Sequence, residues 1–107
     1  MNRGEVYRLR TPRDRRGHEL QGGRYAVVVQ NDELGSLSTV IVAPTSQSAA
    51  PSWLRPEVEI AGGKTRVLVE AVSVFDLSRF GAPAGSLGRA EMEEVDQALR
   101  LVLGLGS

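Results

Sequence analysis

Arg24 and Thr45 are side chains suited to holding a phosphate, and each stands at the end of a segment that favours a β-strand. Arg24 opens the run that continues as Tyr25–Val29, and Thr45 comes just after the run Thr39–Ala43. A guanidinium offers five donors in a fixed plane and stays charged at any relevant pH, and a threonine hydroxyl adds another donor. If the two runs form neighbouring antiparallel strands, Arg24 and Thr45 lie at the same edge of the sheet. The spacing therefore predicts a site that grips a phosphodiester while negative charge accumulates on it.

The two runs belong to a set of short β-strand patterns that continues through most of the chain. Apolar residues in such patterns alternate or run together, and glycine, proline and polar residues bound them. Pro44 is predicted to end its strand, because proline cannot donate to a sheet ladder. A loop of 13 residues separates the first two patterns, and loops of that length are usually functional or mobile. The predicted strands are 4–9, 24–30, 39–43, 57–60 and 66–74, and the long loop is 11–23.

The last part of the chain differs, because its apolar residues recur every three to four positions from Ala90 to Leu103. This spacing forms one apolar stripe along a helix. Gly88 is an acceptable N-cap, and Gly104 can take the left-handed conformation that ends many helices. Short strands followed by one amphipathic helix predict a mainly β fold with α, in which a small, partly open antiparallel β-barrel is closed by a C-terminal α-helix.

Length and composition favour a single domain over residues 1–107. Hydrophobic residues make up 41% of the chain and charged residues 24%, which is an ordinary balance for a globular domain. The absence of cysteine excludes disulfides and thiolate catalysis, and the single histidine argues against a zinc site. No apolar run approaches the roughly 18 residues of a membrane span, and no apolar signal core opens the chain. We therefore expect a cytoplasmic protein that uses no metal, no cofactor and no membrane.

The net charge of zero conceals a basic first quarter of the chain. Residues 1–24 hold seven arginines and three acidic residues, a balance of +4, so the remaining residues carry −4. Such asymmetry suggests a face that meets a polyanion, although a solvated arginine-rich loop without a ligand is also common. A lone arginine at a strand start is likewise usually a solvated edge charge, and a lone strand threonine is usually there for its β-branched shape. Charge alone leaves both interpretations open.

Five short motifs occur in order along the chain. They are Arg3-Gly4-Glu5-Val6, Arg16-Gly17-His18-Glu19, Arg24 with the valine run ending in Gln30-Asn31-Asp32, the segment Val40 to Ser46, and the segment Val95 to Leu105. With this set the chain resembles the MazF/PemK family of toxin endoribonucleases, which act as the toxin of a type II toxin–antitoxin system. The resemblance extends from Arg3 to Leu105 and implies the SH3-like barrel of the PemK/CcdB type.

The resemblance implies metal-independent, sequence-specific cleavage of single-stranded mRNA. In this reaction the 2′-OH attacks the adjacent phosphorus, leaving a 2′,3′-cyclic phosphate and a free 5′-OH. Arg24 would stabilise the transition state by its charge rather than donate a proton, because the pKa of a guanidinium is above ~12, and Thr45 would orient the phosphate or the attacking hydroxyl. Glu19 is the third catalytic candidate. It could accept a proton from the 2′-OH, bind a base edge, or form an ion pair with Arg24 or Arg16.

The same resemblance implies an RNA groove formed by the long loop and the end of the second central strand. The residues expected to bind RNA are Arg16, His18, Gln21, Ser46, Gln47 and Ser48. Trp53 could stack on a base, although core filling or a dimer contact is the preferred interpretation. The implied partners are a second copy of the chain, forming a homodimer, and a cognate antitoxin whose acidic tail docks on the groove.

Two other functions stay open at this point. A related toxin branch with the same fold poisons DNA gyrase, but it depends on aromatic residues at its extreme C-terminus, whereas this chain ends in Leu103-Gly104-Leu105-Gly106-Ser107. A non-catalytic nucleic-acid-binding barrel would explain the basic first quarter without any convergence of Arg24 and Thr45. The chain departs from the family pattern at Tyr25, where proline is usual, and at Ala71-Val72-Ser73, and both departures concern which RNA sequence is cleaved.

Overall fold

Seven strands and one long helix form the described part of a computed structural model of the chain, which covers residues 1–10, 24–35 and 37–106. The strands are β1 (Glu5–Leu9), β2 (Tyr25–Val28), β3 (Thr39–Ser46), β4 (Glu57–Ile60), β5 (Gly63–Val67), β6 (Ser73–Asp76) and β7 (Phe80–Ser86). The helix is α1 (Arg89–Leu103). The strands pair antiparallel in the order β4-β5-β3-β2-β1-β7, with β6 also beside β3. The predicted fold class, a partly open antiparallel sheet closed by a C-terminal helix, is confirmed.

The longest strand, β3, connects the two parts of the sheet. Along one side it pairs with β2, and along the other it pairs first with β6, through 39–42, and then with β5, through Thr45 and Ser46. The prediction that Pro44 ends this strand is therefore wrong. Pro44 lies between the β6 and β5 pairings, where no partner requires the missing N–H, and its carbonyl accepts from Leu68 N–H at 2.8 Å.

Two further strand predictions are corrected by the structure. The predicted strand 66–74 is divided, because β5 ends at Val67 and the 3-10 turn Val69–Ala71 leads the chain from one end of β3 toward the other before β6 begins. Strand β7 has no counterpart in the prediction, since its sequence of small residues, glycine and proline lacks apolar alternation. It lies at the edge of the sheet beside β1, where Pro83 is tolerated and the register shifts twice.

The core lies on both faces of β2. Ala26, Val27 and Val28 are all buried, which explains why this strand reads as a continuous apolar run rather than an alternating one. Val27 belongs to the larger cluster, which includes Val95 and Leu99 of α1. Ala26 and Val28 belong to a smaller cluster on the opposite face. Because core residues pack against both faces of β2, the backbone at Tyr25, where the strand begins, has a fixed position.

Helix α1 begins one residue before the predicted start and ends where the sequence predicts. The N–H of Gly88, its N-cap, donates to Glu91 Oε1 at 2.9 Å, and Glu91 Oε2 accepts from the backbone N–H of Glu59 at 3.0 Å. One carboxylate therefore caps the helix and ties it to β4. Gly104 takes the left-handed conformation, with φ of 69°. No helix in the described ranges is long and apolar enough to cross a bilayer.

Arg3 connects the first and last sequence motifs. Its guanidinium binds both carboxylate oxygens of Asp96 in α1, at 2.6 and 3.2 Å, and its Nε donates to the carbonyl of Val29 at 2.8 Å. Its backbone N–H donates to Asp32 Oδ1 at 2.6 Å. The N-terminal motif thus ties the start of β1 to the end of β2 and to the helix, which is a role in the fold.

Candidate functional site

The structure brings Arg24 and Thr45 together at one end of the sheet. Both line a pocket of about 210 Å³ at the start of β2 and the end of β3. The lining residues are Arg24, Tyr25, Thr45, Ser46, Gln47, Ser48 and Thr65. Five of the residues predicted for the site therefore share one pocket.

The antiparallel register of β2 and β3 explains this convergence. Ala26 lies opposite Pro44, so one further step along each strand brings Tyr25 opposite Thr45. The hydroxyl of Thr45 donates to the carbonyl of Tyr25 at 3.3 Å, which agrees with that register. Arg24 directly precedes the strand and its side chain is exposed. Arg24 precedes β2 and Thr45 lies near the end of β3. The two residues line the same pocket because these strands run in opposite directions.

Thr45 is the fixed member of the pair, and Arg24 is the exposed one. Thr45 is only 2% exposed, and on the side away from β2 it pairs with Val67 of β5. Its hydrogen bond to the Tyr25 carbonyl is long for a hydroxyl donor. The hydroxyl can therefore exchange this weak bond for a stronger one to a charged phosphate oxygen.

The rest of the pocket is rich in hydrogen-bond donors. Ser46 Oγ and Ser48 Oγ lie 3.4 Å apart, and the side chains of Gln47 and Ser48 are exposed. One guanidinium beside several hydroxyls suits the oxygens of a phosphodiester. The described lining contains no aspartate, glutamate or histidine, so it offers no carboxylate or imidazole to accept a proton near neutral pH.

The ring of Tyr25 contacts a second cation beside the pocket, Arg8. Arg8 of β1 lies across from Tyr25 in the antiparallel register. The guanidinium carbon of Arg8 is 5.1 Å from the centre of the Tyr25 ring, a cation–π distance. Because Tyr25 lines the pocket, this contact holds the positive charge of Arg8 beside it.

Among the described residues, the groups with a clearly shifted pKa lie outside the pocket lining. They are Glu5, Tyr7, Glu70 and Asp76. Hydrogen bonds from the backbone of Asn2 and the hydroxyl of Tyr7 hold the pKa of Glu5 below its usual value. A hydrogen bond from Arg55 lowers the pKa of Glu70 in the same way. These shifts arise from local contacts within the fold and do not mark a second chemical site.

The other predicted site residues belong to the long loop. Glu19, Arg16, His18 and Gln21 fall in 11–23, outside the residues that the structure describes. Their roles as base and RNA ligands stay predictions.

Tyr25 and Thr65 are the two lining residues that the sequence analysis did not assign to the site, and Thr65 is the one whose polar side chain is buried. On β5 the buried side chains of Thr65 and Val67 alternate with the less buried Lys64 and Arg66. A polar residue at an inward position of a strand is unusual, and this alternation is the signal that could have found it.

Trp53 lies apart from this pocket. Its side chain is 72% exposed, so the prediction that it fills the core is wrong, while a dimer contact stays a prediction. It lines a larger cavity of about 370 Å³ between its own loop and α1, together with Arg55, Arg66 and Leu101. Apart from Trp53, that cavity contains none of the residues predicted for catalysis or RNA binding, so we place the candidate site in the smaller pocket.

Comparison with known proteins agrees with this fold. The pattern of the PemK-like, MazF-like toxins of type II toxin–antitoxin systems matches residues 2–103. A candidate toxin of Mycobacterium tuberculosis is 42% identical over 104 residues, which covers 96% of this chain and 97% of that protein. The protein named endoribonuclease MazF of Staphylococcus epidermidis is 32% identical over 114 residues, covering 100% of this chain and 94% of that protein.

Solved structures share the architecture at lower identity. A mycobacterial endoribonuclease in complex with its cognate antitoxin superposes with a TM-score of 0.81 at 18% identity, covering 100% of this chain and 98% of that one. At 18% identity, the similarity to this structure shows a shared fold. The match over 102 residues from 2 to 103, together with the 42% and 32% identities, establishes the relationship. The chain therefore belongs to the family of PemK-like, MazF-like toxins of type II toxin–antitoxin systems.

Proposed function

We propose that this protein is the toxin of a type II toxin–antitoxin pair and that it cleaves single-stranded mRNA at specific sequences without a metal ion. The observation that carries the proposal is the meeting of Arg24 and Thr45 in one donor-rich pocket. A relative of nearly equal length, the endoribonuclease MazF of Staphylococcus epidermidis, supports the reaction class. The whole chain acts as one toxin domain, and its place of action is the cytoplasm, where mRNA is found.

The proposed reaction is an internal transfer at one phosphodiester. The 2′-oxygen of the ribose forms a bond to the adjacent phosphorus as its proton leaves, and the bond from phosphorus to the 5′-oxygen breaks. The leaving oxygen gains a proton, so the products are a 2′,3′-cyclic phosphate and a 5′-OH. Negative charge grows on the nonbridging oxygens during attack. The guanidinium of Arg24 stabilises that charge, because it supplies fixed donors in a partly enclosed site.

Thr45 orients the linkage that Arg24 stabilises. Its backbone pairs with Val67 of β5 and its hydroxyl donates to the Tyr25 carbonyl of β2, so the position of the hydroxyl is set before RNA binds. A preorganised donor loses little conformational freedom when the phosphate arrives. The hydroxyls of Ser46 and Ser48 and the amide of Gln47 extend this surface toward the neighbouring nucleotide, together with Arg16, His18 and Gln21 of the loop.

We assign the proton-accepting role to Glu19, since the described lining of the pocket has no carboxylate or imidazole. A glutamate works as a base only when it is ionised, and its usual pKa is about 4.3, so kcat should fall as the pH drops through that region. Glu19→Gln should lower kcat at neutral pH roughly 10²- to 10⁴-fold and remove this acid limb. Rapid-quench measurements of single-turnover rates from pH 4 to 8 test the assignment.

The control for Glu19→Gln is Glu93→Gln, which makes the same change at an exposed position of α1. Unchanged kcat with a raised KM would instead assign Glu19 to base recognition. Unchanged kcat and KM would leave it as an ion-pair partner of Arg16 or Arg24.

The proposed activity is tested by incubating the purified protein with a long single-stranded RNA in the presence of EDTA. We expect discrete cuts, each leaving a 2′,3′-cyclic phosphate and a 5′-OH end, which enzymatic end labelling identifies. Because arginines near the pocket would contact phosphates, cleavage at low RNA concentration should weaken steeply as salt is raised. Intact RNA that is nonetheless bound would contradict cleavage and support a non-catalytic nucleic-acid-binding barrel.

The proposed partners are a second copy of the chain and a cognate antitoxin. In the described residues β6 pairs only with β3, and it carries the exposed side chain of Val74, followed by exposed Leu77 in the next turn. An open strand edge with exposed apolar side chains suits a homodimer contact. An acidic antitoxin segment would complement the cations beside the pocket, Arg8 and Arg24, and so compete with RNA.

A further inference from the structure

Thr65 holds a buried hydroxyl that has no hydrogen-bond partner. Its side chain lies on β5, is 5% exposed, and belongs to the lining of the pocket that contains Arg24 and Thr45. Among the described residues, Thr65 Oγ1 is the one buried side-chain oxygen or nitrogen without a partner. Leaving such a group unpaired costs folding free energy, because the hydroxyl gives up its hydrogen bonds to water without gaining another. A valine has the same shape and would avoid that cost, so the presence of the hydroxyl indicates that it has a function.

Thr65 pairs with the apolar Val58 of β4 on one side, and the nearest polar side chain along the other side belongs to Gln47. In the pairing of β3 with β5, Thr45 lies opposite Val67 and Ser46 opposite Arg66. Gln47 follows directly after the last residue of β3, and continuing the same register by one step would place it beside Thr65. The amide nitrogen of Gln47 also lies over the start of β5, 3.8 Å from where a β-carbon on Gly63 would stand. Gln47 itself is exposed at the mouth of the pocket.

We propose that Thr65 is a positioning residue for RNA recognition, and that its hydroxyl donates to Gln47 Oε1 when RNA is bound. This contact turns the amide so that its two N–H donors face an acceptor on a base edge. An amide can donate to one base or accept from another according to its orientation, so a fixed orientation gives a fixed base preference. The hydroxyl is unpaired before RNA binds and satisfied afterwards. The inference rests on the proposed endoribonuclease function and adds to it the origin of specificity at one nucleotide.

The experiment compares Thr65→Val with the unmodified protein in two measurements. Thermal unfolding should show equal or higher stability, because the unpaired hydroxyl is replaced by a methyl group of the same size. Sequencing of the cut ends from a long transcript should show relaxed preference at one nucleotide position, and kcat/KM for the preferred sequence should fall roughly threefold to tenfold, the value of one hydrogen bond. A purely structural role would not combine unchanged or raised stability with a changed cleavage pattern.

Three further variants separate this route from others. Gln47→Met should relax the same nucleotide position, and adding Thr65→Val to it should change nothing more, since the two residues act as one unit. Thr65→Ser keeps the hydroxyl and should retain the original pattern. Thr39→Val, at the far end of β3 and outside the pocket lining, makes the same chemical change and should leave the pattern unaltered. If Thr65→Val does not fold, Thr65→Ala serves as the second hydroxyl-free variant.

Several outcomes would overturn the inference. One is an unchanged cut pattern and rate in Thr65→Val while the unmodified protein cleaves, which leaves the proposed function standing. Another is an additive loss in the double variant, which would mean that Thr65 contacts RNA without Gln47. Intact RNA with the unmodified protein would remove the proposed function itself, and this inference with it.

Discussion

Arg24→Ala should reduce RNA cleavage roughly a hundredfold to a thousandfold, the usual cost of losing one well-placed donor to a developing negative charge. The fold should be unaffected. The Arg24 side chain is exposed and stands just outside β2, and substitutions at such positions usually change stability by less than about 0.5 kcal/mol. The measurements are kcat/KM on a short RNA that carries one cut site and the melting temperature by circular dichroism.

Two companion variants define what Arg24 contributes. Arg89→Ala removes an equally exposed arginine on the first turn of α1, away from the pocket lining, and should leave kcat/KM unchanged. Arg24→Lys keeps the charge but loses the planar arrangement of donors, so we expect it to recover only part of the rate. Full activity in Arg24→Ala would place the chemistry elsewhere in the molecule, whatever the family relationship.

The parts of the fold that follow from local sequence were predictable. The run from Tyr25 to Val29 reads as a buried strand because β2 is covered on both faces, and α1 reads as a helix because only one stripe of it is covered. Gly88 and Gly104 mark the ends of α1, since each satisfies a geometric need of the helix termini. In β2 and α1, the pattern of buried residues in the structure matches the pattern of apolar residues in the sequence.

The parts that depend on a change of partner were not predictable. Pro44 is a strand breaker by local chemistry, yet it lies inside β3, because β3 exchanges β6 for β5 at that point. Strand β7 has little intrinsic strand character and is held by its pairing with β1 at the edge of the sheet. The position of Pro44 inside β3 and the formation of β7 cannot be predicted from their own residues, because both depend on the strands that pair with them.

The candidate site shows the same division. The meeting of Arg24 and Thr45 follows from two strand patterns and one assumption, that the strands are antiparallel neighbours. Thr65 enters the pocket through a third strand, β5, whose position beside the end of β3 could not be read from spacing. Trp53 illustrates the opposite error: core filling was one of its two preferred interpretations, but its loop lies outside the strands and leaves the side chain in solvent.

Leu99→Ala should lower the free energy of unfolding by roughly 2–5 kcal/mol, the usual cost of a cavity at a buried leucine. Leu99 is 8% exposed and belongs to the main core cluster, where α1 covers the sheet. Domains of this size are stable by only about 5–15 kcal/mol, and each kcal/mol corresponds to roughly 4–8 °C in melting temperature. Thermal unfolding followed by circular dichroism should therefore show a decrease of at least about 8 °C.

The matched control is Leu101→Ala, which makes the same truncation two residues later on the same helix. Leu101 is 53% exposed, so its loss should change stability by less than about 0.5 kcal/mol. An equal decrease in both variants would mean that the helix owes its stability to its own sequence rather than to its contact with the sheet.

Well below its melting temperature, Leu99→Ala should still cut RNA at the normal rate per folded molecule, because α1 contributes no residue to the lining of the Arg24 pocket. Arg24→Ala should therefore reduce RNA cleavage without lowering stability, whereas Leu99→Ala should lower stability without reducing cleavage per folded molecule.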